Sequence, residues 1–400
     1  MKKIIFLFLL LPISVLASDF SENLDYSGYL KSEIWIKNNN DNNHQFLSAF
    51  RNTFDIGMEY KLDDNLSFFV HPRYTYDAAY SLRKDPDFDK NQAYLGNTQR
   101  TEWLRDCYLD YTSDTLDVRL GKQQVAWSQA DGLPFILDRV MPFNLAYFWL
   151  PDFADIRIPL WMAKFEYSPW LNSTLQLLVI PDFEASTSSK ANGPFALKSV
   201  NDFDGFKSFM NSLAGGSVGT EIYRPSKQLK NSRVGVRWRS MLGETEYTLN
   251  WLYGYSTSAY TYIDSFTATA NPNDPLYFGD YVVSRRHKLM QVIGGGFNRT
   301  FNDPGILEGV TLRGEAAYIR GEPTYYGTAG SRKYTEKSDK YNWFIGIDKD
   351  LLTNLSVSFQ FAQLIAEDKN FEGYDIISGY TYGVMDKVES VKTLKLMTDF

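Results

Sequence analysis

From Phe46 to Tyr60 the sequence sorts its side chains by parity. Even positions read Phe46, Ser48, Phe50, Asn52, Phe54, Ile56, Met58 and Tyr60; odd positions read Leu47, Ala49, Arg51, Thr53, Asp55, Gly57 and Glu59. Successive side chains of a strand point to opposite faces, so a strand here has one largely apolar and one largely polar side. The run is 15 residues long, against roughly 5–6 for a soluble strand. It fits a tilted membrane strand of about 9–11 residues with extensions beyond the bilayer.

The pattern returns. Arg233, Gly235, Arg237 and Arg239 oppose Val234, Val236 and Trp238, and Glu246, Thr248 and Asn250 oppose Tyr247, Leu249, Trp251, Tyr253 and Tyr255. Thr311, Arg313 and Glu315 oppose Val310, Leu312, Ala316 and Tyr318; Ser356, Ser358 and Gln360 oppose Leu355, Val357, Phe359 and Phe361. Weaker alternation at 25–37, 66–76, 101–111, 116–124, 160–167, 173–180, 286–298, 340–348 and 389–400 brings the expected strands to 14. The connections near 61–65, 112–115, 168–172, 241–244, 299–309 and 349–354 are short. Those near 38–45, 77–100, 125–159, 181–230, 256–285, 321–339 and 362–388 are generally much longer. Short and long alternate, as the periplasmic turns and outer loops of bacterial barrels do. The expected fold is therefore all-β: one antiparallel transmembrane β-barrel. Tyr60, Trp170, Tyr253, Tyr255, Tyr318 and Trp343 near strand ends suit a water–lipid boundary.

Composition narrows the function classes. The net charge of −7 argues against a nucleic-acid surface. The 27 Tyr, 28 Phe and 9 Trp exceed what a soluble core easily hides. Mean hydropathy is negative, which excludes a bundle of membrane helices. Cys107 is the only cysteine, so neither an internal disulfide nor a cysteine metal site can form. Lys2, Lys3 and the apolar run from Ile4, ending in Val15-Leu16-Ala17, read as a signal peptide over 1–17. Residues 18–400 are then one barrel domain in the outer membrane of a Gram-negative bacterium, in contact with lipid and lipopolysaccharide.

If the apolar faces meet lipid, Arg51, Arg73, Arg119, Lys122, Arg233, Arg237, Arg239, Arg313 and Glu315 are pore-lining candidates. Asp55, Glu59, His71, Asp106, Asp110 and Asp117 belong to the same faces. The row Arg233, Arg237, Arg239 either favours anions or pairs with neighbouring carboxylates and stiffens the wall. Arg105 is a misfit, since simple parity sends it outward with Trp103, Cys107, Leu109 and Tyr111. Either it snorkels at the outer rim or a bulge resets the register.

The connection over 122–160 is too apolar for a free loop: it is rich in aromatics, has four prolines and carries several Asp and Arg residues. It is expected as a structured loop at or inside the barrel mouth, either narrowing the pore or packing as a lid or rim. Its contact candidates are Trp127, Asp131, Asp138, Arg139, Asp152, Asp155 and Arg157.

Leu120-Gly121-Lys122-Gln123, Val125, Trp127, Ala130-Asp131-Gly132-Leu133, Pro142-Phe143-Asn144, Leu150-Pro151-Asp152-Phe153 and Arg157-Ile158-Pro159-Leu160-Trp161 form a composite over about 40 residues. It resembles a family of Gram-negative, porin-like outer-membrane β-barrel proteins of poorly assigned function. Ser128 stands where that family would place Gly, and Met141-Pro142 replaces Asn-Pro. The resemblance implies passage of small molecules, hydrophobic or lipid-like ones among them, in some cases alongside an RND-type inner-membrane transporter. It supplies no catalytic residues or cofactor. It also implies that a segment like Thr393 to Phe400 is followed by another hairpin, so the barrel is expected with 14 strands, or 16 with a further pair.

No enzyme is expected: His44, His71 and His287 form no legible nucleophile–base constellation. Asp85, Asp87 and Asp89 lack the Gly and Glu of a calcium loop, Asn201 to Gly205 is a weaker cluster, and no metal is assigned. Gly294-Gly295-Gly296 reads as a bend in a strand. The expected function is a channel or transport protein for a small-molecule solute, hydrophobic or anionic. The alternative is a non-conducting surface-binding barrel using the loops at 181–230 and 256–285.

Overall fold

A computed structural model describes residues 23–36, 47–82, 103–130, 136–148, 150–189, 195, 218–267, 280–324, 335–367 and 388–398. The signal segment, His44, the Asp85–Asp89 and Asn201–Gly205 clusters and Asp131 lie outside them.

Fourteen strands pair in sequence order, every neighbour antiparallel. They are β1 Leu24–Ile36, β2 Leu47–Lys61, β3 Leu66–Asp77, β4 Leu104–Thr112, β5 Leu116–Gln123, β6 Leu160–Trp170 and β7 Ser173–Ile180. They continue as β8 Arg233–Leu242, β9 Thr245–Tyr255, β10 Leu289–Phe301, β11 Val310–Thr324, β12 Thr335–Leu352, β13 Leu355–Ala366 and β14 Val388–Thr398. Among the described residues no pairing joins β14 to β1. Nor is any helix there long and apolar enough to cross a membrane. All 14 strands read from alternation are present.

The burial pattern inverts that of a soluble protein. On β9, Leu249 is 60% exposed while Thr248 and Asn250 on the opposite face are 3% and 4% exposed. Apolar rows face out, and the core lies inside the curved sheet, between wall and insert. One expectation needs correcting, since the inward face is not polar throughout. Leu178, Ile180, Leu252, Met290, Val292, Ile319 and Phe344 point inward near the long-loop ends of β7–β12 and are buried under the insert's apolar residues. They follow the parity of polar residues nearer the short turns, as Leu252 follows Asn250 and Thr248.

Arg105 is explained by a register shift. His71 opposes Asp106 while Pro72 opposes Leu104, so Arg105 is the extra residue of a bulge. The bulge turns it inward, where it is 1% exposed. Lys122 is corrected in the other direction. It stands in register with Cys107 and Trp161 on the outward row, because Asp117 and Arg119 fix odd positions of β5 inward. Gln123 takes the inward place, donating from Nε2 to the carbonyls of Arg119 and Met162 at 3.2 and 3.3 Å.

A separate three-stranded sheet lies within two of the long connections: Val218–Tyr223 pairs parallel with Asp280–Arg286, which pairs antiparallel with Tyr260–Thr267. Arg286 thus belongs to this sheet, and β10 begins at Leu289 rather than at 286.

Candidate functional site

The connection between β5 and β6 folds into the interior as an insert, held by both sides of the wall. Its first half meets β7–β12. Trp127 is buried; its indole Nε1 donates to Gln176 Oε1 at 2.7 Å, and its ring lies over Gly235, where a Cβ would come within 2.8 Å of Cη2. Leu137 lies over Gly294 in the same manner. Glycine in a strand weakens it, but here the missing side chains make sockets for two knobs of the insert.

Polar ties flank these sockets. Glu315 accepts from the Ser128 hydroxyl at 2.8 Å and from the Gln129 amide N–H, while Arg313 donates to the Gln129 carbonyl and to Asp348, the latter at 2.7 Å. Gln129 Nε2 reaches Glu246 at 3.2 Å. Arg139 pairs with Glu322 at 3.2 Å, and Glu322 also meets Lys340 at 3.1 Å and accepts from the Tyr260 hydroxyl at 2.6 Å. Arg233, 1% exposed, donates to the carbonyls of Arg139 and Val140.

The second half of the insert meets β1–β4. Asp155, on the short helical turn Phe153–Ile156, takes Arg73 at 2.6 Å, and Asp152 takes Lys31 at 3.3 Å. Arg105 donates to the Ala154 carbonyl at 2.6 Å. Arg73 also holds Asp55 at 2.5 Å, and His71 bridges Asp55 and Asp106 at 2.8 and 3.1 Å. Nearer the outer end the Arg51 guanidinium sits over the rings of Trp35 and Tyr147, at 5.3 and 4.8 Å, while the Tyr147 hydroxyl donates to Asp77 at 2.9 Å. The two halves of the insert are joined by Asp138, fully buried, which accepts from Arg157 Nε and Nη2 at 3.0 and 2.6 Å. Burial pushes the Asp138 carboxyl up, against the opposing pull of the Arg157 guanidinium.

The sequence candidates thus divide. Arg73, Arg233, Arg313 and Glu315 touch the insert directly, as do Arg51 through Tyr147 and Arg237 through a 3.4 Å bond to the Ala126 carbonyl. Arg119 instead pairs with Asp110 at 2.5 Å under the Tyr108 ring, and Arg239 is exposed near the short-turn end. Gln176, Glu246, Glu322, Tyr260, Asp77, Lys31 and Tyr147 were missed. Glu322 had a signal: Gly321 carries φ +82° beside a register shift, which turns an even position inward after odd Arg313 to Ile319. Among the described residues no group of three or more His, Cys, Asp or Glu side chains could hold a metal ion.

His287 links the outer three-stranded sheet to β10. Its Nδ1 bonds to the Ser256 carbonyl at 2.8 Å, its Nε2 is buried without a partner, and its ring lies edge-on to Phe183 at 4.8 Å. Burial pushes the imidazole below its ordinary 6.5, and Arg224 and Arg285 push the same way. Between that lowered value and 6.5 the unfolded segment binds more protons than the folded one, so stability here falls as pH drops through the window. The protection factors of amides 280–290, exchange rates corrected for the intrinsic pH dependence of amide exchange, should fall on acidification through this window, and H287Q should remove the effect. Equal protection factors on both sides of the window in the wild type would refute it.

No curated protein matches the chain in sequence. Among solved structures it is similar to an anion-selective porin from Comamonas acidovorans at 11% identity, covering 86% of this chain and 79% of that one, with TM-score 0.40. Salmonella typhi OmpF in complex with daunomycin is similar at 11% identity over 94% and 97%, TM-score 0.40. A loop-deleted OmpT of Vibrio cholerae is similar at 8% identity over 94% and 98%, TM-score 0.36. With its family model matched over residues 19–381, the chain belongs to the family described as protein of unknown function (DUF1302).

Proposed function

We propose that this protein is a porin-like channel of the Gram-negative outer membrane, passing small molecules through an interior narrowed by the 124–159 insert. The observation that carries the reading is the insert itself, held inside the wall by ties to β1–β4 on one side and β7–β12 on the other. The outward apolar rows suit lipid, and charged side chains line the interior of β1–β6. Such an interior holds water, and the insert sets how much of it is continuous.

Planar-bilayer recording tests the reading. The wild-type chain should show discrete open levels, and replacing residues 126–157 with a short Gly-Ser linker should raise the conductance several-fold. A sealed barrel in both forms would overturn the channel. It would leave the surface-binding alternative, which the three-stranded sheet of the outer connections favours.

A further inference from the structure

On the described residues, most inward-facing arginines have their charge met. Arg51 has Glu33 at 3.5 Å, Arg73 has Asp55 and Asp155, Arg119 has Asp110, and Arg313 has Asp348. Arg233 and Arg105 are enclosed by backbone carbonyls of the insert. Arg237 and Arg239 differ. Neither has a carboxylate within ion-pair distance among the described residues; Arg237 has only the long bond to the Ala126 carbonyl, and its Nε is buried without a partner. Glu246, Glu315 and Glu166 act on Arg237 through space, but Glu315 is engaged by Ser128 and Gln129, and Glu166 by Lys164 and Gln176.

Several residues flanking the pair are small. Arg239 lies in register with Thr174 and Thr248, Thr248 with Gly296, and Arg237 with Gln176 and Asn250. Gln176 is committed to Trp127 and Glu166. Asn250, 4% exposed, has a second unpartnered buried atom, Oδ1, directly across from Arg237. Two guanidiniums on one face of a strand, beside small side chains and below the apolar part of the insert, are suited to an anion.

We propose that Arg237 and Arg239 form a docking point, on the periplasmic side of the insert, for the carboxylate or phosphate group of a small solute. This rests on the channel reading and gives its cargo a chemical class. The charged end is held at the pair, beside the Ala126 carbonyl of the insert that Arg237 already touches.

The detergent-solubilised full chain is titrated calorimetrically with hexanoate, hexyl phosphate and neutral hexanamide. At least one anion should bind about tenfold or more tighter than hexanamide, as charge-assisted hydrogen bonds imply. The variant R237Q/R239Q should lose that preference, and R237K/R239K should retain most of it. R239Q alone changes an exposed residue, so it reads the effect if the double variant fails to fold. The better of the two anions identifies the head group. Equal binding of hexanamide, absence of binding by both anions, or unchanged anion binding in folded R237Q/R239Q or R239Q overturns the proposal. Conductance of the same preparation separates the two readings: a conducting chain without anion preference sinks only the docking point, and a sealed chain with it sinks only the channel.

Discussion

Gly235→Val should open the passage. The new Cβ would come within 2.8 Å of Trp127 Cη2 and 3.1 Å of Cζ2, while the nearest other atom, Leu178 Cδ1, lies at 3.4 Å. All three contacts are side-chain atoms, so the wall can keep its register and the indole is what must leave. Trp127 then loses its bond to Gln176 and its buried seat. Overpacking of this kind costs about 1–3 kcal/mol. Outright removal by Trp127→Ala should cost about 3–5 kcal/mol. The expected readout is a several-fold rise in single-channel conductance, with an intact barrel by heat-dependent gel mobility. Unchanged conductance in a folded Gly235→Val protein would show that the first half of the insert does not limit the passage. Gly294 is a poorer test, because a Cβ there also meets the Ala316 carbonyl oxygen at 2.4 Å, which disturbs the wall itself.

Asp138→Ala should loosen the insert from within. Asp138 is the carboxylate held by Arg157, and its loss strands a largely enclosed guanidinium. Breaking a buried pair by removing one partner costs about 3–5 kcal/mol. The two halves of the insert should then loosen from each other: the 127–141 part stays on β7–β12, while the 152–158 part keeps its ties to Arg73, Lys31 and Arg105 and, within the insert, the 2.9 Å bond from the Ile158 amide to the Pro142 carbonyl. Limited proteolysis of the folded barrel should show new cleavage between residues 124 and 159, absent in the wild type. A double variant, Asp138→Leu with Arg157→Met, should be less sensitive than either single change, since an apolar replacement of both partners leaves no stranded charge. If Asp138→Ala resists protease as the wild type does, the pair is not what joins the halves.

The wall was legible because parity is a local signal. Leu249 beside Asn250 declares which side is which without any knowledge of the neighbouring strand. Departures from local order were harder to read. Arg105 required knowing that His71 and Pro72 face Asp106 and Leu104, a fact of pairing and not of sequence spacing. Lys122 was placed by its charge, whereas the parity of Asp117 and Arg119 already assigned it outward. The inward Leu252, Met290 and Ile319 look misplaced until the insert that covers them is present. Its composition announced that it needed burial, but its partners come from strands far along the chain. Gly235 and Gly294 gave a faint hint, since an interior strand glycine often marks close approach by another group.

Ser128 and Gln129 meet Glu315 across 187 and 186 residues, and Arg139 meets Glu322 across 183. Contacts so distant in sequence come late, after the intervening chain has been ordered. A wall without β10–β12 would hold Trp127 through Gln176 but offer nothing to Gln129 beyond Glu246. The first half of the insert is therefore fully seated only once β11 has joined the wall.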